Sequence, residues 1–168
     1  MTPSYNKDLE PEIWQMSFDG KIVVIGLGNP YMKDDGIGIF VARHMKNNPT
    51  FRNKIFVFEC VSIDLSLLLQ FKGATKIILI DALRSGNVPG TVSKYRIASR
   101  SEPLLELPTL HELQIHDIID VSERGLLTCP VVVIGVEPEQ VSLGEGLSNV
   151  VSNSLSRIIE EVGAEVEL

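Results

Sequence analysis

The feature that most constrains the fold of this chain is a set of short apolar runs, rich in β-branched residues, each of which stops on a glycine or a carboxylate. IVVIGL at Ile22–Leu27 closes on Gly28, Asn29 and Pro30. IILI at 77–80 closes on Asp81, and VVVIGV at Val131–Val136 closes on Glu137 and Pro138. Runs this short, apolar at nearly every position, suit strands buried on both faces. Between them the period changes. Ile37, Phe40, Val41 and Met45 recur at helical spacing, and Asn47, Asn48 and Pro49 end that helix. A second strand is expected at 55–58 and a short buried helix at 65–71, stopped by Gly73. A turn at 87–90 leads into an antiparallel edge strand at 91–97. A loop spans 99–108. Thr109 and Glu112 have the spacing of a capping box, so a helix is expected over 109–121. Leu147, Val150, Val151, Leu155, Ile158, Ile159 and Val162 form the apolar stripe of one final helix.

Strands alternating with helices predict an α/β protein: a three-layer α/β/α sandwich with a mostly parallel sheet and one antiparallel edge strand. The 168 residues, 44% hydrophobic, are enough for one cored domain. We assign it to 21–168, with an N-terminal arm over 1–20 in which Trp14 is either a partner anchor or a lid on the core. The net charge of −7 argues against a nucleic-acid partner, whose phosphates would be repelled. The two cysteines, Cys60 and Cys129, form neither a disulfide framework nor a close metal pair, which suits reduced thiols and a cytoplasmic location. No apolar run is long enough to span a membrane.

In open α/β sheets, ligands collect at the carboxyl ends of the strands. Asp35 follows the first strand, Asp81 ends the third, and His111 falls in the first turn of a later helix. Two carboxylates and an imidazole suit nickel or zinc, and three protein ligands leave positions open for substrate or water. Each residue also has a plain structural role. Asp34 and Asp35 are favoured at a helix start by capping and the helix dipole, Asp81 by the turn it leads into, and His111 by the surface. GLGNP hints at a phosphate cradle, but Tyr31 stands where the dinucleotide fingerprint needs its third glycine. A tight turn that lets the backbone approach the next helix explains these glycines better. Cys60 and Ser62 lack the glycine elbow of a nucleophile, and Cys60 reads as a small core residue. His44 and His116 read as structural or solvated.

Taken in order, IGLGNPYMKDDGIG at 25–38, IILIDAL at 77–83, PGT at 89–91, LHEL at 110–113, and VIGVEPE followed by GEGLS near the end resemble the hydrogenase maturation protease family over 21–162. The resemblance implies a phosphorylase/hydrolase-like sandwich. It also implies an endopeptidase that removes the C-terminal extension of a nickel-loaded [NiFe]-hydrogenase large subunit. The family's two acidic residues fall on Asp35 and Asp81 and its histidine on His111. The substrate's nickel would be the recognition element, engaged by these three residues. One stretch departs from the pattern: Cys60, Val61 and Ser62 replace a glycine-rich turn, which alters the local groove. Peptidyl-tRNA hydrolase shares the GLGNP opening but lacks support here, because His44 is followed by Met45 rather than asparagine. A non-catalytic flavodoxin-like binding module is the remaining alternative.

Overall fold

The computed structural model describes residues 16–51, 53–97, 118 and 120–167. Trp14, the loop at 99–108, His111, His116 and the expected start of the helix at 109 lie outside the described residues. The elements are β1 (Ile22–Leu27), a 3-10 turn (Lys33–Gly36), α1 (Ile37–Asn47), β2 (Ile55–Cys60), α2 (Leu65–Gln70), β3 (Lys76–Ala82), β4 (Val92–Ile97), β5 (Val131–Val136), α3 (Asn149–Asn153) and α4 (Leu155–Glu167). A helical end at 120–123 precedes β5. No helix among the described residues is long and apolar enough to cross a membrane.

The five strands run in the order β2-β1-β3-β5-β4. β2, β1, β3 and β5 are mutually parallel, and β4 pairs antiparallel with β5 at the edge. Side chains alternate across the pleat and split the core into two layers. Val23, Ile25, Ile77, Leu79, Val131 and Val133 face Leu68, Phe71, Ile118 and Val121. Val24, Ile78, Ile80, Val132 and Ile134 face Ile37, Val41 and Met45 of α1 and Ile158 and Val162 of α4. Phe18, within the segment expected as an arm, is buried in the first layer. Its ring sits edge-on to Phe56, Phe58 and Phe71 at 5.3, 5.9 and 5.1 Å between centroids.

Three boundaries differ from expectation. β2 continues through Glu59 to Cys60, because Glu59 is held by Arg43 and Lys46 of α1, each at 2.9 Å. β3 includes Asp81, which pairs with Gly135 in β5. The final apolar stripe belongs to two helices rather than one. They part at Ser154, whose hydroxyl donates to the Gly90 carbonyl at 2.7 Å, across from the turn before β4.

Candidate functional site

The chain runs from β1 to β2 on one side and then crosses to β3 on the other, so the sheet changes direction at β1. The switch point therefore falls between the carboxyl ends of β1 and β3, the place where such sheets hold their ligands. The glycines of the first motif bring α1 close to it. A Cβ on Gly26 would overlap the Gly38 carbonyl, and one on Gly38 would overlap the carbonyls of Leu27 and Ile80. α1 is thus seated directly on the ends of β1 and β3, as the tight-turn reading of these glycines requires.

This seating puts the 3-10 turn, and Asp35 with it, against the end of β3. Asp35 is 9% exposed. Its Oδ2 accepts from the Asn29 backbone N–H at 2.8 Å, while its other oxygen accepts no hydrogen bond among the described residues. Asp81 is 3% exposed, and its Oδ1 accepts from the Ala82 N–H at 2.8 Å. By strand alternation Asp81 lies on the same side of the sheet as Ile77 and Leu79. That layer is the one closed by Ile118 and Val121. Of the three sequence-selected residues, Asp81 thus sits at the carboxyl end of β3 and Asp35 on the 3-10 turn that packs against β3. His111 lies outside the described residues. No group of three or more metal-ligating side chains is gathered among the described residues alone.

Asp34 and Asp35, alike in sequence, have separate roles. Asp34 is fully buried. Its Oδ2 accepts from the backbone N–H of Glu139 and Gln140 and from the Ser148 hydroxyl, at 2.9, 2.8 and 2.9 Å; Oδ1 accepts from the Ser148 N–H at 2.6 Å. A carboxylate with four donors ties the β1 loop to the loop after β5. Glu137, at the end of β5, is a second buried carboxylate that only the structure brings forward. It accepts from the Ser85 N–H and hydroxyl at 2.7 and 2.6 Å, and from the Asn87 N–H at 3.2 Å. Burial alone would raise its pKa, but the bonds from Ser85 and Asn87 outweigh burial and hold it below its ordinary value. Its sequence signals were its position after a buried strand and its place in the VIGVEPE segment. Cys60 has the opposite character: burial pushes its thiol up to about 11, so it is not a thiolate near neutral pH.

Fold and site together define an α/β protein with buried carboxylates, Asp35 and Asp81, by the switch point of its sheet. A profile of the family described as hydrogenase maturation protease matches residues 39–165, a span that includes Asp81 and starts after Asp35. The coenzyme F420 hydrogenase subunit delta of Methanothermobacter thermautotrophicus is 25% identical over 162 residues, covering 90% of this chain and 98% of that protein. The hydrogenase expression/formation protein HoxM of Cupriavidus necator is 23% identical, over 86% of this chain and 73% of that one. The hydrogenase maturating endopeptidase HybD of E. coli superposes with a TM-score of 0.68 at 22% identity, covering 88% and 92% of the two chains, and shows the shared fold. The chain belongs to the hydrogenase maturation protease family. It is a hydrogenase maturation endopeptidase, one of a family that processes the C-terminus of the hydrogenase large subunit. Membership displaces the peptidyl-tRNA hydrolase and flavodoxin-like alternatives.

Proposed function

We propose that this chain removes the C-terminal extension of a [NiFe]-hydrogenase large-subunit precursor in the cytoplasm, and that it recognises the nickel already seated in that substrate through Asp35, Asp81 and His111. The observation that supports this reading is that the 3-10 turn bearing Asp35 packs against β3, the strand whose carboxyl end carries Asp81. His111 enters by its match to the family's histidine. Two hard carboxylates beside one imidazole suit nickel better than calcium or magnesium, which prefer oxygen alone. Asp35, Asp81 and His111 would hold the substrate's nickel, which would supply Lewis-acid polarisation, and a carboxylate of the set would accept the proton that the attacking water gives up. The raised thiol pKa of Cys60 supports attack by water rather than by a cysteine. Both cysteines are free and buried, in keeping with a reducing compartment.

The test incubates wild type, Asp35→Ala, Asp81→Ala and His111→Ala with nickel-loaded and nickel-free precursor and follows loss of the tail by mass. Wild type is expected to cut only the nickel-loaded form. Each variant is expected to lose at least about a hundredfold in rate, no less than the loss of a group that supports a metal ligand. Equal cutting of both precursor forms would remove nickel recognition. Full activity in all three variants would remove the site.

A further inference from the structure

The three most exposed large apolar side chains among the described residues are Leu143 at 85%, Val88 at 76% and Tyr31 at 61%. Scattered exposed apolar residues are ordinary. These three are not scattered. Tyr31 stands on the loop leaving β1, Val88 on the turn between β3 and β4, and Leu143 on the loop leaving β5. All three rise from the sheet edge that carries Asp35 and Asp81.

Their loops are fixed. Met32 and Gly144 form a parallel bridge; the Gly144 N–H donates to the Tyr31 carbonyl at 2.8 Å, and the Lys33 N–H donates to the Gly144 carbonyl at 3.0 Å. The backbones beneath Tyr31 and Leu143 are therefore locked to one another. Asp34 secures the same pair of loops from below through Glu139, Gln140 and Ser148. On the other flank Glu137 holds Ser85 and Asn87 by its side chain, and its carbonyl accepts from the Gly90 N–H at 2.8 Å. That fixes the turn bearing Val88. Side chains presented on loops already ordered spare a partner the entropy of ordering those loops on docking, and an exposed tyrosine is a favoured anchor at protein interfaces.

We infer that Tyr31, Val88 and Leu143 form the docking rim for the hydrogenase large subunit, with Asp34 and Glu137 as the positioning residues that hold its loops. The inference rests on the function proposed above. The occupant follows from continuity with the site. The three loops leave the carboxyl ends of β1, β3 and β5, the end of the sheet that carries Asp81, so a precursor brought to that end meets the rim, whereas a second copy docked there would stand in its way.

The experiment measures cleavage of nickel-loaded precursor over a range of precursor concentrations. Leu143→Asp and Val88→Asp place a charge where the rim would be buried, and Tyr31→Ala removes a ring; exposure of all three sites protects the fold. Each is expected to raise KM about tenfold while kcat changes less than about threefold. Leu143→Asp added to Asp35→Ala is expected to weaken precursor binding, read by calorimetry, by the same factor. Wild-type KM in all three variants overturns the rim and leaves the proposed function standing. So does a loss confined to kcat. If Leu143→Asp instead turns a dimer into a monomer with KM unchanged, the rim belongs to self-association and the inference is wrong. Wild-type chain that leaves the precursor uncut removes the proposed function and the rim with it.

Discussion

Cys60 ends β2 at the same edge as the acidic pair, so its position alone would admit it as a nucleophile. Its surroundings decide otherwise: burial raises the thiol to about 11, leaving almost no thiolate at neutral pH. Cys60→Ala is expected to keep full cleavage and to lose only about 1 kcal/mol of stability from the small void. Loss of cleavage with fold and precursor binding intact would reinstate a cysteine mechanism. The neighbours Asp34 and Asp35 show where residue-level reading stops. Both suit a helix start. What separates them is contact with groups 105 or more residues later, which hold Asp34 and leave one oxygen of Asp35 unengaged among the described residues. No local pattern encodes such a contact. Whereas Asp35 follows its strand at a distance and has the look of a helix start, the burial of Asp81 at its strand end was legible because a carboxylate closing an apolar run is conspicuous. Glu137 has that same placing, but its bonds to the β3–β4 turn were not foreseeable from it.

At the scale of elements, the contact between α1 and the sheet depends on absent side chains. Gly38→Ala would press a methyl group into the carbonyls of Leu27 and Ile80, which are ladder atoms and cannot turn aside. We expect a loss of about 2–3 kcal/mol or more and a drop in cleavage, because α1 carries the turn that bears Asp35. Gly163→Ala in α4 is the contrast. There a methyl group meets only Phe51, at 3.9 Å, and removes a flexible residue from a helix, so a gain of about 0.5–1 kcal/mol is expected. Urea unfolding of both variants measures the difference; equal effects would refute the close-packing account. The strands were readable in sequence because burial on both faces leaves an unbroken apolar run. β2 was cut short in the reading because charged Glu59 interrupts its run, and its partners Arg43 and Lys46 sit on another element. The division at Ser154 was invisible for a similar reason: its bond to Gly90 comes from a distant turn, and a single break barely disturbs an apolar stripe.

Across the whole molecule, the edge opposite the site is closed by charge. Glu165, fully buried on α4, meets Lys76 at 3.0 Å, Lys94 at 3.2 Å and Arg96 at 2.7 Å. Burial alone would raise its pKa, but the bonds to Lys76 and Lys94 and the charge of Arg96 outweigh it and hold the carboxyl below its ordinary value. A carboxyl lowered by folding stabilises fully above the unfolded carboxylate range, about pH 4–5, and less as pH falls through its folded value. Glu165→Gln is expected to destabilise by about 2–4 kcal/mol at neutral pH, toward the low side because Lys94 and Arg96 reach solvent. The gap to wild type should close below about pH 4; a gap constant from neutral to acid, measured by urea unfolding, would contradict this. The seating of α1 on β1 and β3 has a mechanical consequence as well. With the Gly38 backbone against the carbonyls of Leu27 and Ile80, the turn holding Asp35 has no slack relative to the strand holding Asp81. Helix and strands make one rigid unit, so any adjustment on docking falls to the partner.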